Sequence, residues 1–229
     1  MKCLRNAVRK VIKSLRSCRI YAIVKTLASC YLRYGSGVLR LGNGFAAMID
    51  VPGLNYRAHR YVESYNALPQ NIILGSETAS TVSSRGVYKF PVEKRASVRY
   101  DDHQCSGYDV ECCYWSNIPD VDFALADDYD WTIGQFVWTG FDYLGEPSPY
   151  DTDSWPSHSS VFGIIDLASL PKDRYYLYRS IWNKNVNTLH ILPHWTWPGR
   201  EGENTPVFVY TNYPGAELFY QWQELRQAA

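Results

Sequence analysis

Three apolar runs in the middle of this 229-residue chain give way abruptly to polar or aromatic side chains, and chemistry is best sought at those junctions. The run AAMIDVPGL leads into Asn55-Tyr56, NIILG into Ser76-Glu77, and TIGQFV into a stretch that holds Trp138 through Asp142. Glu77 is the best single candidate, because a carboxylate directly after an apolar strand is costly to bury unless it is paired or used. A carboxylate so placed acts as a nucleophile or as a general acid/base. The bland reading, a helix cap or a solvated loop acid, fits the same residue, and the junction alone leaves both open.

The elements that would position these residues follow from the pattern of apolar and breaker residues. AAMIDVPGLNY (46–56) reads as a buried strand, RAHRYVESYNALP (57–69) as a short helix closed by Pro69, and NIILG (71–75) as a second strand. A loop-rich stretch runs to about 119, followed by a helix near 120–130, a third strand over TIGQFVWTGFDY (132–143), a Pro/Ser loop over 145–160 and a helix over 172–183. The order β-α-β-α-β-α predicts parallel strands with crossover helices. In a closed parallel β/α barrel the C-terminal strand ends share one mouth, so the three junctions would converge there. After Asn187 the signals are purely β, in TLHILP, PVFVYT and AELFY, and read as the start of a small β-sandwich.

The formal net charge of zero conceals a split. Ten basic residues from Lys2 to Arg40 precede the first acid, Asp50, which leaves 13 basic against 23 acidic residues in the remainder. Residues 1–34 place Leu4, Val8, Val11 and Leu15 at roughly helical spacing among Lys and Arg, a pattern that suits an anionic membrane surface. LASC (27–30) has the look of a lipoprotein cleavage site, but Lys25 interrupts the apolar stretch before it. No run is long and apolar enough for a spanning helix. The 19 Tyr, 8 Trp and 8 Phe are numerous enough to suggest stacking on sugar rings, although aromatics also fill ordinary cores. The six Cys show neither C-x-x-C spacing nor a disulfide ladder and read as free thiols, so no metal or cofactor is expected.

Longer motifs decide the matter. GSETASTVSSRGVY (75–88), FVWTGFDYLGEPSPYD (136–151) and FGIIDLASLPKDRYYLYRSIW (162–182) together resemble glycoside hydrolase family 2, in particular its bacterial β-galactosidases, and the resemblance runs from about Gly44 to Phe219. It implies an α/β fold, a partial (β/α)8 TIM barrel consisting of its last strands and helices, followed by a truncated β-sandwich. The domains would be a basic segment over 1–43, the barrel part over 44–184 and the sandwich start over 185–229. It also implies that Glu77 is the nucleophile, that Tyr56 orients its carboxylate, and that Trp138 floors the sugar subsite, with Asn55 beside them as a substrate contact. Asp142 and Glu146 would bind sugar hydroxyls or hold the loop, the second role being preferred. Some relatives carry a His three residues after the nucleophile; Ser80 stands there in this chain.

The implied mechanism is retaining hydrolysis of terminal β-galactosides by two carboxylates about 5–5.5 Å apart. The family's acid/base lies in an Asn-Glu pair after the fourth strand, and this sequence contains no Asn-Glu dipeptide. In a shifted frame the codons of Met1-Lys2 give Glu, preceded by Asn when an A stands upstream. With suitable codons YQWQELRQAA (220–229) likewise gives INGKSYGKQ, which resembles the family's continuation. Residues 1–41 and 220–229 are therefore expected to be frame-shifted and not selected to pack on this fold; the competing reading is a natural short protein with new termini. The chain is expected to be an inactive fragment of a β-galactosidase-type enzyme, the alternative being a non-catalytic carbohydrate-binding remnant. The expected partner is a carbohydrate, with no nucleic acid and no membrane contact, and a periplasmic or extracellular bacterial setting suits the parent.

Overall fold

The computed structural model describes residues 44, 46–96, 99–145, 158–220 and 223–228. In chain order its elements are β1 (Gly53–Asn55), α1 (Tyr61–Ala67), β2 (Ile73–Thr78), β3 (Arg95–Ala96), β4 (Glu111–Cys112), α2 (Pro119–Asp128), β5 (Thr132–Val137), α3 (Asp173–Trp182), β6 (Leu189–Leu192), β7 (Phe208–Thr211), β8 (Ala216–Tyr220) and β9 (Gln223–Ala228). They fall into two units, one reaching Ser80 and resuming over Trp115–Trp138, the other holding Thr81–Tyr114 and the described residues from Thr139 onward.

The first unit is a three-stranded sheet in the order β1-β2-β5, parallel throughout, as the alternation of strand and helix predicts. Tyr61, Leu68 and Ile73 form its buried centre, with Ala46, Leu54, Tyr65, Leu125 and Trp131 packed around them. The Trp131 ring lies between Tyr65 at 4.4 Å and Tyr129 at 4.7 Å. α1 stops at Ala67 because Leu68, which precedes Pro69, is extended (φ −107°, ψ 135°), as a residue before proline prefers. α2 starts with Pro119 in its first turn, where the missing N–H costs nothing, and Asp120 and Asp122 face the positive end of the helix dipole.

Two strands are shorter than expected. Residues 46–52 are not strand: Ala46–Met48 form a 3-10 turn, and Pro52, which has no N–H to give a ladder, precedes the three-residue β1. The third strand ends at Val137 rather than 143, because from Thr139 the backbone pairs with Phe162–Ile165 within the second unit.

That second unit combines the small parallel pair β3-β4, helix α3 and two antiparallel hairpins, β6-β7 and β8-β9. β6, β7 and β8 fall on the three expected β segments, and β9 lies within the residues expected to be out of frame. Cys105, Cys112 and Cys113 are buried free thiols, as expected. The expectations for residues 1–40 and for most of the 145–160 loop lie outside the described residues. Among the described residues no helix is long and apolar enough to cross a membrane.

Candidate active site

The three parallel strands end side by side, and the candidate residues stand on those ends. Tyr56 follows β1, Glu77 is the penultimate residue of β2, and Trp138 follows β5. The Tyr56 amide donates to the Glu77 carbonyl at 2.8 Å, and the Trp138 amide donates to the Thr78 carbonyl at 2.9 Å. Parallel pairing thus puts all three at the C-terminal end of the sheet.

Glu77 does not sit in a regular strand. Along β1–β2 the partners step from Leu54↔Gly75 to Asn55↔Glu77, so one residue of β1 spans two of β2. Along β2–β5 the step from Gly75↔Gln135 to Thr78↔Val137 sets three residues of β2 against two of β5. β2 therefore carries an extra residue at Ser76–Glu77 relative to both neighbours, a bulge of the kind that re-aims a side chain. Gly75 makes the bulge possible. A Cβ there would lie 2.6 Å from Thr78 Cγ2 and 2.8 Å from Tyr61 Oη, so a larger residue collides with the chain folded back against it.

Side-chain hydrogen bonds fix each residue of the bulge. Ser76 Oγ donates to Asn55 Oδ1 at 2.6 Å, and the buried Thr78 Oγ1 donates to Gln135 Oε1 at 2.7 Å. Between them, Tyr56 Oη donates to Glu77 Oε2 at 2.7 Å. Tyr56 reaches that oxygen from a left-handed backbone, φ 54°, which costs a non-glycine residue about 1–3 kcal/mol and persists only where the surroundings impose it. Both partners are half-buried, so this hydrogen bond holds one of the carboxylate oxygens in a set direction.

Asp142 belongs to the second unit, where both of its oxygens are engaged. Oδ1 accepts the Gly163 amide at 2.7 Å, and Oδ2 pairs with Lys172 Nζ at 2.7 Å. Burial raises the Asp142 pKa against the pull of Lys172, and burial likewise presses Lys172 down to about 8. Glu146 lies outside the described residues. Ser80 is buried, and its amide donates to Ser116 Oγ at 2.9 Å. No group of acidic, His or Cys residues among the described residues could hold a metal ion. Asn55, Tyr56, Glu77 and Trp138 thus gather at one sheet end, while Asp142 is occupied within its own unit. The sequence reading named Ser76 at its junction without a role and missed Gln135 and the buried Asp122 of α2; a buried acid in the first turn of a helix that follows a loop-rich stretch carries no distinguishing signal.

No family model matches the chain. Over 165 residues, 68% of its length, the chain is 39% identical to the β-galactosidase BoGH2A of Bacteroides ovatus. It superposes on a β-glycosidase of Bacteroides vulgatus with a TM-score of 0.67 and 28% identity over 79% of the chain. It shares its fold with β-glucuronidase 2 of Bacteroides uniformis, at a TM-score of 0.60 and 19% identity over 83% of the chain. It spans 19% of the length of the first of these proteins, 26% of the second and 23% of the third. Over most of its length the chain is glycoside hydrolase family 2-like, similar to bacterial glycosidases of that type.

Proposed function

We propose that this chain carries the nucleophile half of a retaining β-glycosidase site, built on the last three strands of a (β/α)8 barrel and followed by the start of a β-sandwich. Glu77 is the nucleophile. Tyr56 holds Oε2, so that Oε1 is presented to the anomeric carbon of a β-galactoside; Trp138 floors the subsite and Asn55 contacts the sugar. Asp142 has a structural role, bonded to Gly163 and Lys172, rather than a contact to the sugar. The 2.7 Å hydrogen bond between Tyr56 and Glu77 at adjacent strand ends carries this reading. It is the arrangement a carboxylate needs when orientation contributes most of its reactivity. With the rest of the barrel present, a second carboxyl would protonate the departing oxygen and then activate water. The alternative, a sugar-binding remnant without chemistry, draws on the absence of an Asn-Glu pair from the sequence.

The two readings separate in an experiment that bypasses the missing acid. 2-Deoxy-2-fluoro-β-galactosyl fluoride carries a leaving group that needs no protonation, and its fluorine slows breakdown of the glycosyl-enzyme. Incubated with the full chain, it should form an adduct that peptide mass spectrometry maps to Glu77 and that Glu77→Gln abolishes. The glucuronic acid analogue, run in parallel, reports the sugar preference. A chain that binds the galactosyl reagent yet forms no adduct would favour the remnant.

A further inference from the structure

The end of β2 is gripped from a second side. Ala79, two residues beyond Glu77, is fully buried and left-handed, with φ 45°. An L-residue is strained there and needs an external hold. The hold comes from α2 and the residues just before it: the Ala79 N–H faces the Asp122 carboxylate, and the Ser80 N–H donates to Ser116 Oγ at 2.9 Å. Asp122 is 5% exposed and accepts Asn117 Nδ2 at 2.6 Å, so its carboxyl is buried, bonded to Asn117 and turned to the Ala79 N–H. An acid serving only the helix dipole would gain nothing from burial. Its neighbour Asp120, in the same first turn, stays exposed. Asp122 keeps its place despite desolvation strong enough to push its pKa up to about 7.

We infer that Asp122 is a positioning residue for Glu77: by clamping the left-handed Ala79 it fixes the bulge that aims the Glu77 carboxylate. This rests on the nucleophile reading above. Without the clamp, Ala79 relaxes toward φ < 0, the extra residue of β2 redistributes, and Glu77 leaves the direction that Tyr56 sets. Sugar binding, which depends on other groups, is unaffected.

The test measures labelling of the full chain by 2-deoxy-2-fluoro-β-galactosyl fluoride as a limiting rate constant and a half-saturating concentration, with amplitudes normalised to folded protein. Asp122→Ala should lower the limiting rate constant roughly 10- to 100-fold with the half-saturating concentration unchanged. Asp122→Asn keeps a carbonyl acceptor for Ala79, and Asn117 can turn its amide to suit; its loss should be about tenfold or less, but measurable. Asp120→Ala, which removes only the exposed acid, should stay within about twofold. A purely structural role for Asp122 would lower the folded amplitude and leave the rate constant alone. Should Asp122→Ala fail to fold, Asp122→Asn decides. Variants that label at the wild-type limiting rate overturn the positioning role and leave Glu77 as nucleophile. A wild-type chain that is not labelled at Glu77 overturns the nucleophile reading, and the positioning role with it.

Discussion

Replacing Lys172 by Met tests whether the second unit depends on one buried ion pair. Lys172 Nζ lies 2.7 Å from Asp142 Oδ2 and donates to the Ser83 carbonyl at 2.7 Å, and the two side chains are 2% and 6% exposed. Burial wins over pairing at both ends, raising the Asp142 pKa and lowering that of Lys172 to about 8. The pair is therefore not a net stabiliser as it stands, yet it is costly to break. Methionine fills the volume but strands a buried carboxylate, a loss of about 3–5 kcal/mol by the behaviour of broken buried pairs. The pH dependence carries the sign. In Lys172→Met the unpartnered Asp142 titrates higher still, so between the ordinary carboxylate range and that value the native state binds more protons than the unfolded state. Stability then falls as pH rises through the window, so the variant is nearest to wild type at about pH 4–5 and drops progressively further behind as pH rises. In the wild type the depressed lysine acts oppositely. From pH 8 to its unfolded value of 10.5 the unfolded state binds the extra proton, so this group alone adds stability as pH rises, a gain the variant lacks. Urea unfolding followed by tryptophan fluorescence at pH 5, 7, 8 and 9.5 measures both effects. Lys172→Met/Asp142→Leu, which removes both charges, should recover most of the loss. A Lys172→Met variant within about 1 kcal/mol of wild type at pH 8, or an equal loss at every pH, would refute the argument.

Two further outcomes concern Glu77. Tyr56→Phe removes the charge-assisted bond to Oε2 and should slow labelling of Glu77 about 10- to 100-fold; a rate within twofold of wild type, measured in the same mass-spectrometric time course, would show that the bulge alone orients the carboxylate. With an aryl β-galactoside the chain should show no appreciable turnover, because general acid help is worth typically about 10²–10⁴-fold and no Asn-Glu pair supplies it. Robust release of the phenol that disappears in Glu77→Gln would mean that another carboxylate of this chain acts as the acid.

The sequence made the strand-end residues legible because the signal was local: each apolar run stops where its strand meets the site, and a run of strand length followed by a carboxylate is visible without neighbours. The parallel sheet followed from the helices between the runs. Strand lengths were less legible, since Ala46, Ala47 and Met48 are as apolar as a strand requires and only Pro52 argues against one. The third strand was overrun for a related reason. WTGFDY keeps a strand's composition, but its backbone leaves the sheet at Thr139 to pair with Phe162–Ile165, and pairing across some twenty residues leaves no mark on either segment.

What composition could not show is why Glu77 points where it does. A regular strand alternates its faces, so Ser76, Glu77 and Thr78 would point in turn to opposite sides. The bulge breaks that alternation. Its causes are spread over four residues: Gly75, which leaves room for Thr78; Gln135, which accepts the Thr78 hydroxyl; Tyr56, left-handed on the neighbouring strand; and Ala79, left-handed and facing Asp122. None is unusual alone, and two of the four, Tyr56 and Ala79, are poor choices for the backbone they adopt. Local preference and observed conformation disagree on both sides of Glu77, on its own strand and on the one beside it. Such disagreement persists only where the surroundings over-determine the structure, and it concentrates where a side chain must be held away from its relaxed direction. A solvated loop acid or a simple helix cap would need no such hold. The strain at Tyr56 and Ala79 therefore argues for a carboxylate placed for use, on grounds independent of any resemblance.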